Sequence, residues 1–286
     1  MNADRLLSLW QYPLPQHLLS RLMGFVANSE NPAIRDPFVR WFANRYGVDM
    51  GEAASPDLAA YRTFNEFFTR PLRDGVRPVD ADPRSIVSPA DGAVSELGPI
   101  RDDAILQAKG YSYSATTLLG GDARRAAEFR DGQFITVYLS PRDYHRVHMP
   151  LAGTLREMIY VPGRLFSVNT RTANGVPGLF ARNERVVCIF DTGHGPMALV
   201  LVGAIVVAGI ATVWSGTVTP PAGPLAVTRF GVPGDAVQLD KGAEMGRFLV
   251  GSTAIVLLPK GRAQWDPALK AGSPLRMGQR IGTLAR

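Results

Sequence analysis

Three short stretches of this 286-residue chain hold side chains that could act together on one bond. One is Ser140-Pro141-Arg142-Asp143-Tyr144-His145-Arg146-Val147-His148-Met149-Pro150, which contains two of the four histidines. Another is Ser88-Pro89-Ala90-Asp91-Gly92, ahead of Ala93-Val94. The last is Phe248-Leu249-Val250-Gly251-Ser252-Thr253-Ala254-Ile255-Val256, an apolar run interrupted by tiny and polar residues. Each alone has a plain reading: two unrelated histidines, an Asp-Gly turn entering a strand, a bulge or hairpin turn. Together they supply an Asp, a His and a Ser, the parts of an activated hydroxyl. His145 and His148 are also spaced as metal ligands, but no Cys/His set or H-E-x-x-H motif completes a site.

Two routes diverge from an activated serine. A hydrolase typically exposes its serine on a G-x-S-x-G elbow, and that motif is absent around Ser252. The Gly251-Ser252 pair offers another reaction. Glycine has no Cβ and tolerates the bent backbone that lets the Ser252 hydroxyl attack the Gly251 carbonyl. An N-to-O acyl shift gives an ester. Loss of the Ser252 α-proton then expels the upstream chain and leaves dehydroalanine, which hydrolyses to an N-terminal pyruvoyl group.

The elements that must position these groups change character along the chain. Residues 1–80 read as helical: Pro15 can start a helix, and Leu18, Leu19, Leu22, Met23 and Val26 follow at helical spacing with Ser20 and Arg21 opposite. Two short aromatic stretches, Phe38 to Phe42 and Phe64 to Phe68, come next. Such an apolar leader can pack on a core or lie in a bilayer surface. After about Pro83 the chain turns to β-branched runs between Gly, Pro and Asp, among them Phe134 to Leu139, Arg185 to Asp191 and Thr253 to Leu258. No helical pattern of ten or more residues separates them, which disfavours βαβ winding. The expectation is an α+β protein, with a helical leader over 1–80 and a mostly antiparallel β-rich sandwich or barrel over 81–286. Ser140 and Asp143 have the form of a capping box. They predict a strand ending at Leu139, one helical turn carrying His145, and extended chain at His148.

Composition narrows the classes. The 18 residues from Met197 to Trp214 carry no charge, yet valine, isoleucine and interrupting glycines favour two buried strands over a membrane helix. The first apolar stretch, Leu6 to Leu22, is too broken for a signal peptide. The lone cysteine, Cys188, sits in an apolar run and reads as a buried, inert thiol. Net charge is +6, with six basic residues against Asp266 alone from Ser252 onward. No aromatic-interleaved basic stripe accompanies this excess, so nucleic acid is not an expected partner.

The chain resembles the phosphatidylserine decarboxylase family over nearly all its length. The carrying segments are Thr63 to Arg73, Ser88 to Gly92, Ile105 to Gly110, Tyr138 to Pro150, Tyr160 to Gly163, Leu179 to Arg185, Gly242 to Gly246 and the Gly-Ser site. There the family usually reads Leu-Gly-Ser-Thr, and this chain reads Val250-Gly251-Ser252-Thr253. The reacting atoms belong to Gly251 and Ser252, so the apolar swap leaves the assignment standing.

The resemblance implies that Asp91, His148 and Ser252 form a self-cleavage triad, with His148 as base and Asp91 orienting it. It implies that Ser252 becomes a covalent pyruvoyl group and that His145 transfers a proton in decarboxylation. Chains 1–251 and 252–286 would stay together as a heterodimer, and a homodimer of such pairs is compatible with this. Phosphatidylserine would be decarboxylated to phosphatidylethanolamine through a Schiff base, doing the work pyridoxal phosphate does elsewhere, with no pyridoxal phosphate and no metal. The expected location is peripheral, on the cytoplasmic side of the cell membrane and against its anionic surface, without a transmembrane span. Arg142, Arg146, Arg164 and Arg182 are candidates for the lipid phosphate by nearness to the motifs. A pyruvoyl decarboxylase for a soluble amino acid, or a non-enzymatic membrane-surface protein whose Gly251-Ser252 is only a turn, are the alternatives.

Overall fold

The computed structural model describes residues 3–6, 8–108, 110–205, 209–219, 223–231, 236–249 and 252–285, and of Ser252 only the backbone. After a four-residue helix, Ala3–Leu6, the leader holds α1 (Gln16–Ala27), α2 (Pro32–Tyr46) and α3 (Phe64–Phe68). Each start follows from local chemistry. Pro15 precedes α1, the Asn31 side chain accepts the Ala33 N–H to cap α2, and the Thr63 hydroxyl accepts the Glu66 N–H to cap α3. Phe42 of α2 packs edge-on against Phe64, Phe67 and Phe68 of α3, with ring centroids 5.0–6.2 Å apart. No helix among the described residues is long and apolar enough to cross a membrane.

One helix face is turned the opposite way from a core helix. On α1 the buried side chains are Gln16, Ser20 and Ala27. Leu18, Leu22 and Phe25 lie roughly 180° round the helix from them and are exposed, Leu22 by 59% and Phe25 by 80%. Trp10, Ile34 and Trp41 are exposed as well. Polar groups instead dock the leader. Gln16 Nε2 donates to the Gln11 carbonyl at 2.8 Å and Gln16 Oε1 accepts the Leu165 N–H at 2.9 Å, while Gln11 Oε1 accepts the Ser167 N–H at 2.8 Å. Each such buried bond contributes on the order of 1 kcal/mol.

The β-rich part is built on β1 (Gly92–Pro99), β2 (Gln133–Leu139), β3 (Arg146–His148), β4 (Gly153–Val161), β5 (Arg185–Thr192), β6 (Gly195–Val202), β7 (Gly209–Thr212), β8 (Glu244–Leu249) and β9 (Ser252–Leu258). A nine-stranded sheet runs in the order Ala226–Arg229, β4, β5, β6, β9, β2, β1, Pro274–Leu275, with Gln238–Leu239 also on β4. A four-stranded sheet orders Gly216–Thr217, β7, β8, β3. A three-stranded sheet joins Ser85–Val87, Arg280–Leu284 and Ala263–Trp265. All of these strand pairs are antiparallel.

The large sheet is covered on both faces. Ile135, Val137, Leu139, Leu199, Leu201, Ala254 and Val256 face one cluster, shared with Val147, Ile210, Met245 and Phe248 of the four-stranded sheet. Phe134, Val187, Val200, Ile255 and Leu257 face the other, shared with short helices through Leu118, Val176 and Phe180. A strand buried on both faces has no polar alternation. That is why the uncharged stretch from Met197 resembled a membrane span, and its described part forms β6 and β7. Cys188 is fully buried in the first cluster, and burial pushes its thiol pKa well up.

Candidate active site

The site is assembled around the end of β2. Ser252, the first residue of β9, pairs with Leu139 on one side of that strand, and Ala93 of β1 pairs with Tyr138 on the other. Two strand spacings of about 4.8 Å put the Ser252 backbone roughly 10 Å from that of Gly92. The approach of β1 requires glycine. Gly92 has φ +149°, and a Cβ there would stand 2.1 Å from the Tyr138 carbonyl oxygen. The Asp91-Gly92 dipeptide is thus a close-packing device that leaves Asp91 beside the strand end.

Past Leu139 the chain does not form the expected helical turn. Asp143 N–H donates to the Ser140 carbonyl at 2.9 Å and Asp143 Oδ2 accepts the Ser140 N–H at 2.7 Å, closing a single β-turn. The sheet then takes over. The Phe248 N–H donates to the His145 carbonyl at 3.0 Å, and Arg146–His148 pair with β8. His145 therefore sits in the passage from turn to strand. His148 is extended, as expected, with its own N–H on the Pro89 carbonyl at 2.8 Å.

Both histidines are buried and held neutral. His148 Nδ1 lies 2.8 Å from the Gly242 carbonyl and Nε2 lies 3.1 Å from the Tyr144 hydroxyl. Burial lowers its pKa most, against the Gly242 bond and the charge of Glu244. His145 has no exposure, and its Nδ1 is 2.8 Å from the Asp143 carbonyl. Its Nε2 has no partner among the described residues. Burial, with a smaller push from Arg70, lowers the His145 pKa to about 3. Its ring lies 3.9 Å from that of Phe68, centroid to centroid.

Asp91 does not hydrogen-bond to His148. Arg77 holds both its oxygens, through Nε at 2.9 and 3.1 Å and Nη2 at 2.6 Å, and the Met277 N–H donates to Oδ1 at 2.8 Å. Arg77 Nη2 also reaches Glu52 Oε2 at 2.6 Å. The Asp91 charge still acts on His148, in the direction that favours its protonation. Asp91, His145, His148 and the Ser252 backbone are thus gathered around one strand end. Gly251 and the Ser252 hydroxyl lie outside the described residues.

Three residues here were not singled out by the sequence: Arg77, Tyr144 and Arg70. Arg70 is 3% exposed, and its Nε and Nη1 have no partner among the described residues, while Nη2 donates to the Arg142 carbonyl at 3.2 Å. Of the four arginines named as phosphate candidates, Arg146 is bound to Glu244 at 2.8 Å, and Arg164 and Arg182 contact Tyr12. Arg142 is largely exposed. Near the strand end a cavity of about 330 Å³ is lined by Met23, Phe38, Trp41, Phe68, Leu139 and Val168 among others, between the leader and the core. Among the described residues no group of three or more His, Cys, Asp or Glu could hold a metal ion.

The chain is similar to known proteins along nearly its whole length. A family profile described as "Phosphatidylserine decarboxylase" matches residues 64–283, and one described as "PSD" matches residues 6–47. A phosphatidylserine decarboxylase proenzyme of Pseudomonas fluorescens is 61% identical over 279 residues, covering 97% of each chain. Proenzymes of the same name from Ectopseudomonas mendocina and Pseudomonas aeruginosa are each 60% identical, over 280 residues (98% of each chain) and 277 residues (96% of each chain).

Proposed function

The chain belongs to the phosphatidylserine decarboxylase family, and we propose that it removes CO2 from phosphatidylserine after cutting itself between Gly251 and Ser252. The observation that carries this reading is the convergence on one strand end of Asp91, His145, His148 and the backbone of Ser252. In the first stage His148 is the base that takes the Ser252 proton, Ser252 Oγ attacks the Gly251 carbonyl carbon and the C–N bond breaks to leave an ester. Elimination then frees the Gly251 carboxylate and leaves dehydroalanine, which water hydrolyses with loss of ammonia. The products are chains 1–251 and 252–286, the second ending in a pyruvoyl group.

That group would supply an electron-accepting carbonyl next to the substrate amine. The residues present suit an anionic substrate beside it. Among the described residues Arg70 is a buried cation with two unpartnered nitrogens, and His145 offers an Nε2 without a partner. Because the Asp143 carbonyl can only accept, His145 carries its proton on Nδ1. It must therefore take a proton at Nε2 before it can hand one on. A substrate carboxylate entering this dry site favours that protonation, and loss of CO2 leaves the carbanion that receives the proton.

A lipid must be met at its bilayer. The outward apolar face of α1, with Trp10 and Trp41 nearby and Arg21 and Arg40 also exposed, supports a leader lying in an anionic membrane surface. The apolar cavity beneath could receive acyl chain between the leader and the site. This favours a lipid over a soluble amino acid.

The test pairs a denaturing gel and intact mass with CO2 release. Wild type is expected to give two chains, the short one blocked to Edman sequencing. Ser252→Ala and His148→Ala should stay whole. His145→Ala should cleave and then decarboxylate poorly, by on the order of a hundredfold or more. A free serine amine on an active short chain would overturn the pyruvoyl reading, and a fully active His145→Ala would remove that residue's role.

A further inference from the structure

His148 can be the base for self-cleavage only through a nitrogen that has a lone pair, and the structure fixes which one. Its Nδ1 faces the Gly242 carbonyl at 2.8 Å. A carbonyl accepts and cannot donate, so Nδ1 carries the hydrogen and Nε2 carries the lone pair. That lone pair is already occupied. The Tyr144 hydroxyl lies 3.1 Å from Nε2, and the only hydrogen available between them is the phenol's. Both partners are buried, Tyr144 at 6% exposure and His148 at 8%. Burial also raises the Tyr144 pKa to about 12, so the phenol keeps its hydrogen at cellular pH.

Any proton that His148 takes must therefore arrive where the Tyr144 hydroxyl stands. A side chain that could only donate would have to leave. A hydroxyl need not, since its oxygen can accept one proton while giving up another. We propose that Tyr144 is the hydroxyl bridge of self-cleavage, passing the Ser252 proton to His148. The inference rests on the reading of Ser252 as the nucleophile and His148 as its base. In the step, the Ser252 O–H proton moves to Tyr144 Oη as the Tyr144 proton moves to His148 Nε2. The Ser252 Oγ lone pair forms the bond to the Gly251 carbonyl carbon, and the carbonyl π pair moves onto its oxygen. Tyrosine is restored as a neutral phenol, and His148 becomes an imidazolium. Glu244 and Asp91 both favour that charge, while Arg146 opposes it. Tyr144 thus joins the machinery of processing.

The experiment has two arms, on the full chain. In the first, wild type and Tyr144→Phe are followed by gel from synthesis to cleavage between pH 5 and 9. The variant is expected to cleave on the order of a hundredfold more slowly. The acid limb of its profile should move to higher pH, because Nε2 without the donated bond is more basic. A merely structural effect would lower the rate equally at every pH.

In the second arm, 15N spectra of the imidazoles are recorded on uncleavable Ser252→Ala and on Ser252→Ala/Tyr144→Phe. The expectation is a protonated Nδ1 and a hydrogen-bonded Nε2 in the first, with the Nε2 resonance alone shifting in the second. Wild-type rate and profile in Tyr144→Phe, the opposite tautomer in Ser252→Ala, or an unmoved Nε2 resonance would each overturn the proposal. If Tyr144→Phe fails to fold, the tautomer in Ser252→Ala still decides. If wild type never yields two chains, the reading of Ser252 falls instead, while the His148 tautomer and its Tyr144 bond are still decided by the spectra.

Discussion

Replacing Arg77 with methionine in the uncleavable Ser252→Ala chain would strip the charge from the most densely bonded ion pair near the site while keeping most of the apolar stem. Arg77 makes three contacts to Asp91 between 2.6 and 3.1 Å, one to Glu52 at 2.6 Å and one to the Val76 carbonyl at 3.0 Å. The side chains of Arg77 and Asp91 are only 7% and 8% exposed, so solvent screens the pair little. These contacts hold the Arg77 pKa above its ordinary value, the Asp91 bond most of all, and hold Glu52 below its own. Without Arg77, Asp91 keeps only the Met277 N–H among the described residues. Glu52 keeps Arg276, at 3.3 Å.

Breaking one side of a buried pair costs about 3–5 kcal/mol. For a chain of this size that is a fall in melting temperature on the order of 10 °C. Urea unfolding followed by circular dichroism measures it. A double-mutant cycle with Asp91→Asn isolates the pair, with an expected coupling of about 1–3 kcal/mol. A loss below about 1 kcal/mol for Arg77→Met, or strict additivity in the cycle, would refute the argument that solvent screens this buried pair little and that Asp91 depends on it.

Two other outcomes follow from the same structure. With His145 at a pKa of about 3 against an unfolded value near 6.5, the unfolded chain binds the extra proton between those pH values. The stability from keeping that ring neutral is complete above about pH 7 and is lost as pH falls toward 3, by several kcal/mol at most. In Ser252→Ala, His145→Gln should therefore shift the acid-unfolding midpoint to lower pH, and an unchanged midpoint would show that the ring is not buried neutral. On the leader, Leu22→Asp or Phe25→Asp should leave melting and self-cleavage intact, because both side chains face solvent. Co-sedimentation with vesicles of phosphatidylethanolamine and phosphatidylglycerol should weaken by about tenfold or more, and unchanged sedimentation would place the membrane contact elsewhere.

What could be read from the sequence was what depends on neighbours along the chain. The β-branched runs announced β2, β5 and β9 to within a residue at each end, and the uncharged stretch from Met197 announced β6 and β7 together without the boundary between them. The Asp, His and Ser segments were visible because their residue types are unusual in apolar surroundings. What depends on distant partners was hidden. The leader helix showed its stripe but not its direction, which is set by Gln16 meeting the Leu165 N–H 149 positions away. Ser140 and Asp143 made their reciprocal contact, yet the strand ladder to β8 outcompeted continuation of the helix. Arg77 and Met277 bind Asp91 from 14 and 186 positions away, and no local pattern marks either.

The same topology explains how a chain could be cut at its own active site without coming apart. A break between 251 and 252 falls where β8, in the four-stranded sheet, hands over to β9, in the nine-stranded one. The segment that would become the new N-terminal strand is central. β9 pairs with β2 from Ser252 to Leu258 and with β6 from Thr253 to Leu257. Ile255, Val256, Leu257 and Leu258 are at most 2% exposed. At about 1.5–3 kcal/mol for each side chain, these four alone resist extraction by roughly 6–12 kcal/mol. Further along the same piece, Arg280–Leu284 pairs with Ser85–Val87, and the Met277 N–H is bound by Asp91. Cleavage would thus release only a strand end, at the seam between two sheets and beside both histidines. Maturation can then change the chemistry at residue 252 while the surrounding sheets keep the groups that use it in place.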